Sequence, residues 1–88
     1  MDANGLLEHL QVWNKLCNGC LRVHSVALAT HTVWIAKVSI YCQFAKQEID
    51  ARAYGLDREG AMLNLARKLE DVLKNRAFLK AKKALDRA

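Results

Sequence analysis

Trp34-Ile35-Ala36-Lys37-Val38-Ser39-Ile40-Tyr41-Cys42-Gln43-Phe44 is the stretch that decides the fold of this chain. Trp34, Ala36, Val38, Ile40, Cys42 and Phe44 share one face of an extended backbone, and Lys37, Ser39, Tyr41 and Gln43 share the other. A period of two sustained this long predicts a strand that buries a single face. Thr30-His31-Thr32 supplies a turn before it. After it, Ala45-Lys46-Gln47 must reverse the chain without the usual Gly or Asn. A second alternation follows, with Ile49, Ala51 and Ala53 inward and Glu48, Asp50, Arg52 and Tyr54 outward. Gly55 ends that strand.

Upstream of this hairpin, Leu21 and Val23 alternate with Arg22 and His24, and the parity then shifts to Val26 and Leu28. The shift predicts either a bulge near Ser25 or a strand buried on both faces. Farther upstream, Leu6, Leu10, Trp13 and Cys17 recur at i, i+4, i+7 and i+11, with Leu7 and Leu16 widening the stripe. That spacing predicts a helix, with Asn4 as its N-cap and Asn18-Gly19 as its left-handed stop. Downstream, Asp57 is a suitable N-cap for a long helix that buries Ala61, Leu65, Leu69 and Val72/Leu73. Beyond Asn75 the Ala/Lys-rich sequence has high helix propensity and a weaker apolar stripe, which predicts an exposed continuation. The order is α-β-β-β-α. The expected fold is α+β, a three-stranded antiparallel sheet covered on one face by two helices. The expected organisation is a single domain over 4–75 and a basic helical C-terminal extension over 76–88.

Composition narrows the function classes. The chain has 88 residues, no proline and 52% hydrophobic residues, which fits one small folded unit rather than a disordered segment or a large enzyme. Met1-Asp2-Ala3-Asn4 is acidic, unlike the basic start of a secretory signal. The apolar run from Val23 to Phe44 is interrupted by His24, His31, Lys37 and Gln43, so no membrane span is expected. A cytoplasmic location is the default, and three cysteines there argue against a disulfide framework.

The net charge of +5 is unevenly placed. Residues 1–50 carry four positive and four negative side chains, and residues 51–73 again balance four against four. The entire excess lies in 74–88, where Lys74, Arg76, Lys80, Lys82, Lys83 and Arg87 face only Asp86. A neutral body with a basic end attracts polyanions, through counterion release where the partner is nucleic acid.

Chemistry-bearing motifs are sparse. Cys17-Asn18-Gly19-Cys20 has the spacing of a metal knuckle or a redox pair, which Cys42, His24 or His31 could complete. A zinc signature needs a second paired motif, however, and the sequence has none. The helix C-terminus predicted at Cys17 also opposes a thiolate. Cys17 and Cys42 are therefore expected to fill core positions, with no metal and no cofactor. His9 and His24 are expected at the surface or an edge. Glu48 and Asp50 on a flat strand lack the cleft that perturbs carboxyl groups. No enzyme is expected.

Leu6-Leu7-Glu8-His9-Leu10-Gln11 fits the Leu-x-Glu-x-x-Gln of the first helix of double-stranded-RNA-binding domains. His31 falls in the loop where that family places a groove-entering histidine. Gly55 precedes Asp57 as the family's glycine precedes its helix cap, and Ala61 takes its small helix position. The chain thus resembles a double-stranded-RNA-binding domain over residues 5–73. The resemblance implies that Glu8, Gln11, His31 and Arg58 contact duplex RNA. This sequence departs from the family at Ala29-Thr30, where Gly-Pro is usual, and at Arg58-Glu59-Gly60-Ala61-Met62, where a lysine cluster is usual. Lys74, Arg76, Lys80, Lys82 and Lys83 would then replace the missing phosphate grip.

Gly55, Asp57, Ala61, Asn64 and Leu65 also match the strand-to-helix signature of HicB-type antitoxins over 33–73. That similarity implies a small protein-binding inhibitor or adaptor. The first expectation is thus a non-catalytic module recognising structured RNA or another nucleic acid. The alternative is an antitoxin-like or phage anti-defence-like protein that acts on a protein partner. Exposed sheet edges also permit a homodimer.

Overall fold

The computed structural model describes residues 2–87. Helix α1 (Ala3–Leu16) leads into strands β1 (Arg22–Ala27), β2 (Thr32–Cys42) and β3 (Gln47–Gly55), then α2 (Arg58–Lys68), α3 (Glu70–Leu73) and α4 (Arg76–Arg87). The strands form one antiparallel sheet in the order β1-β2-β3, with the helices on one face. The α-β-β-β-α order read from the sequence is the order of the fold.

The alternating pattern that predicted β2 sets the core. Ala36, Val38 and Cys42 from β2, and Ile49 and Ala53 from β3, are buried beneath Leu6, Leu10, Trp13 and Cys17 of the first helical stripe. Ala61, Leu65, Leu69, Val72 and Leu73 complete the layer as their spacing requires. Helix α2 lies directly on β2 and β3, and α1 packs against α2, α3 and α4. Small residues permit this close approach. A Cβ at Gly55 would collide with the backbone nitrogen of Ala61, so β3 must end in glycine for α2 to start where it does.

Helix α1 is capped by Asp2, whose carboxylate accepts from the Gly5 amide at 2.7 Å, not by Asn4. The helix therefore starts one residue before Asn4, at Ala3. Asp2 serves because its backbone is extended, with ψ 173°, and its oxygen lies three residues ahead of a free amide. At the other end, Asn18 (φ 62°) and Gly19 (φ 73°) are both left-handed and stop the helix as expected. The Asn14 side chain accepts from the Leu21 amide at 2.8 Å and fixes the entry into β1.

Strand β1 contains neither the bulge nor the double burial that its parity shift predicts. Its register with β2 is unbroken from Arg22↔Lys37 to Ala27↔Thr32. Val26 is simply exposed, as is Leu28 beyond the strand's end. Hairpin pairing outweighs side-chain parity here, because the helices do not cover this part of the sheet. The reversal after β2 uses Lys46 in the left-handed region (φ 55°), which a non-glycine residue rarely adopts.

The C-terminal half departs furthest from expectation. The long second helix breaks at Leu69 into α2 and α3. Asn75 then caps α4, accepting from the amides of Ala77 and Phe78. Phe78 is fully buried, edge-on to Phe44 (5.7 Å between centroids) and to His9 (6.1 Å). The helix beyond Asn75 is thus exposed on one side only, and its other side is part of the core. His9, expected at the surface, is half-buried at this contact, with Nδ1 2.8 Å from the Gly5 carbonyl oxygen.

Candidate functional site

Helix α4 divides its residues by face. Phe78 turns into the core, with Leu79, Ala81, Lys82 and Leu85 half-buried beside it. Arg76, Lys80, Lys83 and Arg87 are exposed at i, i+4, i+7 and i+11, which places them within one narrow stripe of the helix. The stripe runs roughly 16 Å at 1.5 Å per residue. None of the ion pairs among the described residues engages these four cations. Sequence reasoning counted Arg87 in the charge surplus but left it out of the contact set. Its i+11 spacing from Arg76 is the signal that places it on the same stripe of the helix.

Two other basic residues of the expected set are already occupied. The Lys82 ammonium lies 3.2 Å from Glu8 and 3.3 Å from Asp86, and its side chain is only 13% exposed. The hydrogen bond that this ammonium donates to Glu8, with Asp86 in support, holds it above its ordinary range. Glu8 and Lys82 thus neutralise each other across the α1–α4 contact. Lys74 pairs with Glu70 on its own side of the molecule at 3.2 Å.

The start of α2, where the sequence departs from the lysine cluster of the resembled family, is close to neutral. Gln11 and Arg58 do come together, in a shallow hollow with Leu7, Glu59 and Met62. Arg58 directs Nη1 at the Met62 sulfur, 3.6 Å away. Glu59 lies in the first turn, where the helix dipole favours an acid and a phosphate would be repelled. Asp57 caps the helix as expected, accepting from Gly60 at 2.6 Å. His31 sits in the β1–β2 turn, closed by a 2.8 Å bond from the Leu28 amide to the His31 carbonyl, with its ring 2.9 Å from the Thr30 hydroxyl. Helix α1 separates these groups, because Glu8 faces α4 and Gln11 faces the start of α2.

The cysteines behave as core residues. Cys17 and Cys42 are buried, and Cys20 is half-buried. Burial pushes the Cys17 thiol up to about 12 from 9.0, with the neighbouring Cys20 and Cys42 adding to the shift. Burial also raises Cys20. At neutral pH both carry their protons, so neither is an activated nucleophile. Among the described residues no group of three or more His, Cys, Asp or Glu side chains is placed to hold a metal ion. No helix is long and apolar enough to cross a membrane. Comparison with protein-family models, with curated proteins and with solved structures finds no match to this chain.

Proposed function

We propose that the chain is a non-catalytic binding module for structured RNA or another nucleic acid, gripping backbone phosphates along the outer face of α4. The observation that carries this reading is the stripe of Arg76, Lys80, Lys83 and Arg87, four exposed cations in no ion pair among the described residues, on a helix fastened to the core by Phe78. A fixed row loses less conformational freedom on binding than a loose tail does. Gln11 and Arg58 form a second, weaker contact in the manner the family resemblance implies. His31 would add a groove contact only where the duplex also reaches the β1–β2 turn. Glu8 and Lys82 support α4 instead of touching the ligand.

Fluorescence anisotropy with a short RNA duplex tests the reading. Binding should weaken steeply between ~50 and ~200 mM salt, and Lys80→Ala or Lys83→Ala should each lower the salt slope by about one. Absence of binding to duplex RNA and DNA at ~50 mM salt overturns it.

A second reading, a protein-binding inhibitor or adaptor, is favoured by a different observation. Val33, Tyr54, Leu56 and Leu63 line an open apolar groove at the end of the sheet, and Leu56 is 81% exposed. A partner retained through nuclease treatment and high salt, and released by Leu56→Ser, would place function there. Sedimentation would separate that case from a homodimer.

A further inference from the structure

The sheet face turned away from the helices carries a row of like charges. Arg22 lies opposite Lys37 in the β1–β2 register, and Lys37 lies opposite Arg52 in the β2–β3 register. Residues directly opposite in an antiparallel pair project from the same face with neighbouring Cβ atoms, and like charges so placed are destabilising. All three side chains are exposed, and the ion pairs among the described residues all lie elsewhere. Arg22 donates to the Gly19 carbonyl at 3.0 Å, which holds the side chain without neutralising it. The next position along adds the Ser39 hydroxyl and the Asp50 carboxylate, again opposite each other. The same residues, with Cys20 and Val38, enclose a groove of about 380 Å³. Three cations against Asp50 leave it two net positive charges.

Nothing in the packing requires this row. The strand faces water here, so uncharged polar residues would pair equally well without repulsion. From the register and the groove together, we propose that Arg22, Lys37 and Arg52, with the Ser39 hydroxyl, form a site for a phosphate group. The site lies on the opposite side of the sheet from α4 and stands independently of the reading above. Two guanidinium forks flanking an ammonium match the several oxygens of a phosphate better than they match chloride. Asp50 repels an anion from one side and so confines the phosphate to the Arg22–Lys37–Arg52 row.

Amide chemical shifts of the full chain, followed by NMR, test the proposal. Inorganic phosphate should produce saturable shifts at Arg22, Lys37, Ser39 and Arg52 that chloride at equal ionic strength does not. Lys37→Ser should weaken that binding roughly tenfold or more, and Ser39→Ala should weaken it less. Lys37 is exposed, so Lys37→Ser is expected to fold; an unchanged amide spectrum elsewhere checks this. Phosphate should raise the thermal midpoint of the native chain but not that of Lys37→Ser. The source of the phosphate is separated by adding duplex RNA to a Lys80→Ala/Lys83→Ala chain. Shifts in the row assign it to a polymer's phosphates, and a response to inorganic phosphate alone assigns it to a small ligand. No saturable shift with either probe, or an equal response in Lys37→Ser, overturns the proposal. A phosphate response without any RNA binding would leave this site standing and sink the α4 reading instead.

Discussion

Gly55 shows how one position ties sheet to helix. With its hydrogen in place of a side chain, α2 can begin directly against the end of β3; a methyl group would press on the Ala61 and Gly60 backbone, which cannot rotate away. Gly55→Ala should therefore cost about 1–3 kcal/mol, read as a lower denaturant midpoint. Cys17 gives a residue-scale prediction in pH. The unfolded thiol ionises near 9.0 and the folded one only near 12, so the folded state holds the extra proton between those values. Stability conferred by that proton is complete below pH 9 and is lost as the pH rises towards 12. Between pH 8.5 and 10.5 the native chain should lose on the order of 1 kcal/mol more than Cys17→Ala does. Parallel pH curves for the two proteins would contradict this. Both residues were partly legible in the sequence, Gly55 as a strand end and Cys17 as a stripe position. How tightly β3 turns into α2 at Gly55 and Ala61, and the arrival of Cys42 beside the Cys17–Cys20 pair, are set by packing and not by the local pattern.

At the scale of elements, α4 is the least legible part of the chain. Its Ala/Lys composition reads as an exposed helix, and on the stripe from Arg76 to Arg87 it is one. Phe78 changes the element's role, because its ring fills a gap between Phe44 and His9 and makes α4 part of the core. Phe78→Ala should destabilise the whole chain by roughly 3–5 kcal/mol, measured by chemical unfolding. If α4 were a free extension, the cost would be near zero. The strand edges differ in a related way. Lys68 and Asn64 reach from α2 to the Arg52 and Tyr54 carbonyls of β3, both at 2.7 Å, and so occupy that edge. Strand β1 has no such cover. Val26 in that strand and Leu28 just past its end look to water, and parity alone misread them as a bulge or a second buried face.

At the scale of the molecule, the charge surplus is separated from the neutral start of α2 by α1. Point changes on the exposed stripe are consequently the sound test of nucleic-acid binding. A chain ending at Asn75 would lose Phe78 from the core together with the cations, and reduced binding would then report unfolding as much as lost contacts. The two basic features, α4 and the Arg22–Lys37–Arg52 row, lie on opposite sides of the sheet. The two proposals can therefore be tested in the same protein on separate surfaces.

The sequence by itself determined the α-β-β-β-α order, the inward faces of β2, β3 and the main helices, and the placement of the net charge in 74–88. Each of these follows from local periodicity or from counting. The tertiary structure alone decided which cation of α4 is neutralised, because Lys82 pairs with Glu8, a residue 74 positions away. It likewise decided the cation row across the sheet. Register depends on where each turn closes, and no single strand contains that information.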